Sequence, residues 1–155
     1  MHIQTHPYDQ IWLKSLREGG PDDNGQPAER AISDGQGNPC RSCLCEIPEG
    51  DEMLIAAARP FPELQPYAET GPVFFCADDC TAWSGKGLPP ILRNSADYLV
   101  KGYTADHRIL YGTGRIIPQA EMETYLQEVL SREGVAFADV RSSRNNCFQA
   151  RVTVG

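Results

Sequence analysis

Cysteine is where this sequence concentrates its chemistry. Four of the six cysteines form two close pairs, Cys40-Arg41-Ser42-Cys43 and Cys76-Ala77-Asp78-Asp79-Cys80, with 32 residues between Cys43 and Cys76. Two thiolates separated by two residues reach one ion from a tight backbone turn, and zinc takes four such ligands in a tetrahedron. Cys76 and Cys80, at i and i+4, share one face of a helix. Asp78 is placed to cap a short helix over residues 79–84, stopped by Gly85. A thiolate at such a helix start gains from the positive end of the helix dipole. The spacing therefore predicts a zinc site with Cys40, Cys43, Cys76 and Cys80 as ligands. Four thiolates leave no open position for water or substrate, so the expected site is structural rather than catalytic. The plainer alternative is that these are buried thiols acting as small hydrophobes.

Three further residues have chemistry to offer. Cys45, in Cys43-Leu44-Cys45, is either an alternative ligand or a spare thiol. Cys147 lies in sequence beside Arg141, Arg144 and Asn145, a composition that would favour a thiolate; a half-buried strand cysteine next to Phe148 is the simpler reading. His107 follows Asp106 at a predicted hairpin turn, where a neutral ring could act as a base or merely be solvated. His2 and His6 lie in an N-terminal arm and are not placed in a site. No glycine-rich phosphate loop is present, and Gly112-Thr113-Gly114 is expected to mark a bulge within a strand. There is no Gly-x-Ser-x-Gly elbow. The Cys40-x-x-Cys43 pair is not followed by the long helix of a thioredoxin-like dithiol. A binding or interaction module with a structural zinc is thus favoured over an enzyme. The competing reading is a thiol-dependent enzyme or redox protein using Cys40 and Cys43, or Cys147.

The elements that must position these residues follow from periodicity. Asp9 to Glu18 predicts a short helix capped by Asp9 and docked through Trp12. A short strand is expected within 28–33 and a longer one over 52–58. Four prolines between Arg59 and Pro72 predict an extended surface loop. Residues 73–75 predict a short apolar strand leading into Cys76. Leu88 to Arg93 reads as a linker with one helical turn. Tyr98 to Thr104 and His107 to Ile117 predict a hairpin around Ala105-Asp106. A helix is expected from Pro118 to about Arg132, with Met122, Leu126, Val129 and Leu130 in one apolar stripe. Residues 135–141 and 147–154 alternate as two further strands. The fold class is α+β, mainly antiparallel, with a C-terminal β-β-α-β-β half over 95–155 and a zinc-knuckle segment over 39–84, all within one domain of 155 residues.

Composition narrows the partners. The chain carries a net charge of −7. Between Cys40 and Cys80 eight acids face two bases, Arg41 and Arg59, and the remainder is nearly neutral. Such a segment repels phosphate backbones, so nucleic acid is an unlikely partner and a protein or small molecule is expected. No apolar run is long enough to span a bilayer. The N-terminus lacks the basic and apolar regions of a signal peptide, so a cytoplasmic location is expected, where paired cysteines favour metal over disulfides.

The order of knuckle, strand, strand and helix N-terminus resembles a treble-clef zinc finger, and Phe74-Phe75-Cys76-Ala77-Asp78-Asp79-Cys80-Thr81-Ala82-Trp83 resembles the second half of small Phe-Cys-x-x-x-Cys fingers. Across nearly the whole chain, four runs together resemble DUF1203, a bacterial family of unknown function. These are Pro39-Cys40-Arg41-Ser42-Cys43-Leu44, Pro66-Tyr67-Ala68-Glu69-Thr70-Gly71-Pro72-Val73-Phe74, Tyr103-Thr104-Ala105-Asp106-His107-Arg108 and Asn146-Cys147-Phe148-Gln149-Ala150-Arg151-Val152. The resemblance implies no activity, substrate or catalytic residue.

Overall fold

A computed structural model describes residues 1–155. In chain order the elements are β1 (Ile3–His6), α1 (Gln10–Arg17), β2 (Glu29–Ile32), β3 (Glu52–Ala58), β4 (Gly71–Cys76), β5 (Asp97–Tyr103), β6 (Arg115–Pro118), α2 (Met122–Leu130), β7 (Phe137–Ser142) and β8 (Phe148–Val154). Single 3-10 turns occupy Pro90–Leu92 and Gln119–Glu121. The architecture is α+β with antiparallel sheets and the expected C-terminal β-β-α-β-β order. The chain divides into two compact units, one formed by Met1–His6 with Ser84–Gly155, the other by Pro7–Trp83. No helix is long and apolar enough to cross a membrane.

The Pro7–Trp83 unit is a three-stranded antiparallel sheet, β2-β3-β4, with α1. Helix α1 begins where expected because Asp9 Oδ1 accepts hydrogen bonds from the Ile11 and Trp12 amides at 2.9 and 3.1 Å, satisfying donors that the first turn cannot pair internally. Its buried face, Leu13 and Leu16, joins Met53, Leu54, Val73 and Phe75 of the strands in one apolar core. Trp12 and Tyr8 pack edgewise, with ring centroids 5.1 Å apart, and Tyr8 meets Phe75 at 5.6 Å. Residues 59–70 are irregular, as the prolines require.

The other unit is a five-stranded antiparallel sheet, β1-β8-β7-β5-β6, with α2 packed on it. The predicted stripe is buried, and Tyr125 extends it. One face of β5 lies beneath this helix: a Cβ added to Gly102 would sit 3.0 Å from Val129 Cγ1. On β7 and β8, Asp139 and Arg151 are register partners. Asp139 is fully buried and takes two hydrogen bonds from Arg151, at 2.7 and 2.9 Å. The Arg151 guanidinium also lies over the Phe137 ring, 4.0 Å from its centroid.

Several expectations require correction. The partner of β5 is not a continuous strand over His107 to Ile117; it is the short β6. The turn forms, with the Thr104 amide donating to Arg108 O at 2.8 Å and the Leu110 amide to Gly102 O at 2.9 Å, but regular pairing breaks beyond Leu110. The Thr113 side chain takes over, its Oγ1 accepting from the Gly102 amide at 2.8 Å. Gly112, at φ +95, turns the chain for it, so the Gly112-Thr113-Gly114 run belongs to a loop rather than to a strand interior. Pro118 ends β6 and does not open a helix there; α2 starts at Met122. The N-terminal arm is strand β1, whose four residues pair with β8. Finally, residues 79–84 form no helix. A helix of six residues has little intrinsic stability. The Trp83 amide is instead drawn to Ser42 O, at 2.9 Å.

Candidate metal centre

The first cysteine pair sits on a knuckle built by backbone hydrogen bonds. The Cys40 amide donates to Cys45 O and the Leu44 amide returns to Cys40 O, both at 3.0 Å. Leu44 occupies the left-handed region, at φ 55, which is unfavourable for a residue with a Cβ. Complete burial of its side chain offsets that cost. The knuckle is fastened to β4, because Cys40 bridges Phe74 and the Arg41 amide donates to Phe74 O at 3.0 Å. It is also tied to the segment leading into α1: the Tyr8 amide reaches Arg41 O at 2.8 Å, and Gln10 Nε2 reaches Ser42 Oγ at 3.0 Å.

The second pair comes from the end of β4. Cys76 is its last residue, and the chain bends back so that Cys80 returns toward the knuckle. The four predicted ligands converge: the Sγ atoms of Cys40, Cys43, Cys76 and Cys80 all lie within 4.8 Å of one another. Cys40 and Cys80 have their sulfurs 3.8 Å apart. A disulfide bond would require about 2.05 Å, and all six cysteines are free thiols. A tetrahedron with metal–sulfur bonds of about 2.3 Å has sulfur–sulfur edges of about 3.8 Å. The four-cysteine group is therefore of a size and chemistry that can hold a metal ion.

The electrostatics of the group point the same way. Four thiols this close compete for protons. Hydrogen bonding from the Cys43 and Cys76 side chains, helped by the Cys76 amide, pulls the Cys40 thiol down to about 6. Cys80 is also lowered, by hydrogen bonds from Cys40, Cys43 and Cys76 and then by Arg17. Cys43 and Cys76 are pushed up, first because each shares its proton with Cys40. The four thiols thus share their protons unevenly, with Cys40 and Cys80 drawn toward the thiolate and Cys43 and Cys76 toward the thiol. A dication replaces the shared protons with a central charge.

Around the sulfurs, polar hydrogens are supplied unevenly. Cys40 Sγ accepts from the Ser42 and Cys76 amides, both at 3.4 Å. Cys80 Sγ accepts from Arg17 Nη2 at 3.3 Å. Arg17 also donates through Nε and Nη2 to Cys76 O, at 3.2 and 3.1 Å. Sequence reasoning missed Arg17. A cation in the last turn of a helix is ordinarily read as a complement to the helix dipole, and only the fold brings it to the second cysteine pair.

The other candidates lie elsewhere. Cys45 is outside the four-sulfur group, with its thiol toward Cys43 O at 3.5 Å. His107 sits on the turn after β5, at φ 66, with its ring edge against Phe137. Cys147 closes the β7–β8 turn: its amide donates to Ser142 Oγ at 3.0 Å, and its thiol lies 3.8 Å from Asn145 O. Arg141 Nη1 there is engaged with Asn146 O at 2.9 Å. His107 and Cys147 both belong to the unit that does not contain the four clustered cysteines.

Comparison with known families gives one match. A model of a protein family described as of unknown function, DUF1203, matches residues 37–153. The match takes in all four clustered cysteines and leaves α1, with Arg17, outside it. Neither the curated proteins nor the solved structures gave a match.

Proposed function

The chain belongs to the DUF1203 family of proteins of unknown function, and from that premise we propose that it is a binding or interaction module whose Pro7–Trp83 unit is held together by one structural zinc ion on Cys40, Cys43, Cys76 and Cys80. The observation that carries this reading is the convergence of four thiols within 4.8 Å from two separate segments. Zinc suits it because a thiolate set imposing a tetrahedron matches the preference of that ion. When bound, the ion cross-links the knuckle to the end of β4 and supplies folding free energy there. All four positions are filled by protein, so the site offers no vacancy for a reacting group.

The acidic surface of the Pro7–Trp83 unit narrows the partner. Glu49, Asp51, Glu52, Asp78 and Asp79 are exposed. They disfavour a phosphate backbone and leave a protein or small molecule as the partner class. A reducing cytoplasm suits a site that depends on free thiols.

A second reading has one observation in its favour. With no metal, a Cys40 thiol near 6 would be largely thiolate at neutral pH, as in a thiol-dependent enzyme or redox protein. Metal analysis separates the two. Protein purified without added metal is expected to carry about one zinc per chain, lost in Cys76→Ser and in Cys80→Ser. Metal-free wild-type protein with rapidly alkylated thiols would sink the zinc reading and favour the second.

A further inference from the structure

We propose that Arg17, on α1, is a positioning residue of the four-cysteine centre, one that holds the Cys80 thiolate in place and lowers its reactivity relative to Cys43 and Cys76. The inference rests on the metal reading above and deepens it. A divalent ion with four thiolates carries two surplus negative charges, and such a group in a partly buried site calls for compensating donors. Arg17 brings a full positive charge to one ligand sulfur, at 3.3 Å. Its side chain is only 13% exposed, so solvent screens it little.

The geometry makes this guanidinium specific. Nε and Nη2 both grip Cys76 O, fixing the plane of the group, and Nη2 is then directed at Cys80 Sγ. Asp79 Oδ1 lies 3.5 Å from Nη1 on the fully exposed side. One arginine therefore ties together the residue that ends β4, the bend, and the last ligand. It does so where the expected helix dipole is absent. Cys40 is shielded differently, by full burial and by two backbone amides. Cys43 and Cys76 sulfurs accept no such N–H bond and are half-buried. A hydrogen bond to sulfur lowers its lone-pair energy and with it its nucleophilicity, so the centre is built with two quiet thiolates and two reactive ones.

The test uses the full-length chain loaded with zinc or with cobalt(II), whose thiolate-to-metal charge-transfer band reports sulfur donor strength. Arg17→Met keeps the packing and removes donor and charge. It is expected to weaken metal binding about tenfold and to move the cobalt band to lower energy. Arg17→Lys, which restores charge without the fork, is expected to recover part of the shift. In zinc-loaded wild type, limiting N-ethylmaleimide is expected to label Cys43 or Cys76 before Cys80, and that delay at Cys80 should vanish in Arg17→Met. Unchanged affinity and an unmoved band in folded Arg17→Met would overturn the proposal, as would Cys80 labelling first in wild type. Should Arg17→Met fail to fold, the labelling order in wild type decides. A wild-type chain that takes up no metal would instead defeat the four-cysteine reading itself, and this inference with it.

Discussion

His6 shows how a single residue can make this protein sensitive to pH. Its Nε2 is 2.7 Å from Thr153 Oγ1, across the β1–β8 pair. Burial pushes its pKa below the ordinary 6.5, and the nearby Arg151 charge pushes in the same direction. Arg151 is itself committed to the buried Asp139, which keeps the cation in place beside the histidine. With the folded value below the unfolded one, the unfolded chain binds the proton more readily. The contribution to stability is then fully present above 6.5 and is lost as pH falls from 6.5 toward the lower folded value. Urea midpoints measured at pH 7.5 and pH 5.5 are expected to drop on acidification, and His6→Gln, whose amide can still meet Thr153, is expected to drop less. Other groups titrate in this window, so the readout is the difference between the two proteins. An equal fall in both would show that His6 is not a source of the pH dependence.

At the scale of elements, α2 and β5 meet at Gly102, and the fit there is close. A methyl at this position would lie 3.0 Å from Val129 Cγ1 and 3.1 Å from Thr113 Cγ2. Gly102→Ala is therefore expected to cost about 1–3 kcal/mol by overpacking, measured by urea denaturation. The penalty should shrink in a Val129→Ala background, because trimming the helix side chain opens the space; an undiminished penalty would place the strain at Thr113 instead. The same neighbourhood shows what could be read from the sequence. The α2 stripe was legible because each of its residues reports its own burial through spacing. Strand β3 was legible from end to end, and Asp9 announced the start of α1 through its side chain. The strand after the β5 turn was not, because it is interrupted by a tertiary event: Thr113 satisfies the Gly102 amide with a hydroxyl. Strand β1 was missed for a similar reason, since Ile3–His6 acquires its structure from pairing with the far end of the chain. The grouping of Cys40, Cys43, Cys76 and Cys80 was legible from spacing alone, whereas the helix expected beyond them gave way to bonds from Arg17 and to Ser42 that only the fold supplies.

Across the whole molecule, the two units differ in what holds them. The Ser84–Gly155 portion, with β1, has a helix laid on a five-stranded sheet and a core of its own, including Tyr98, Val100, Leu126, Val140 and Val152. The Pro7–Trp83 unit has three strands, one short helix and long irregular segments, a small core for which a bound metal would supply a major share of the stability. Both tryptophans, Trp12 and Trp83, lie in this unit, so their fluorescence is a probe of it. Removing metal with a chelator at neutral pH is expected to change that fluorescence and to speed amide hydrogen exchange over 53–58 and 73–76, the strands adjoining the cysteines. Amides of 98–102, 138–140 and 150–152, in the five-stranded sheet, are expected to keep their protection, because none of the four clustered cysteines belongs to that unit. Free energies of local opening differ across a chain when its cooperative units are distinct. A uniform rise in exchange would mean that the chain unfolds as one body and that the metal supports all of it. No change in either unit would mean that the four cysteines hold their place without an ion.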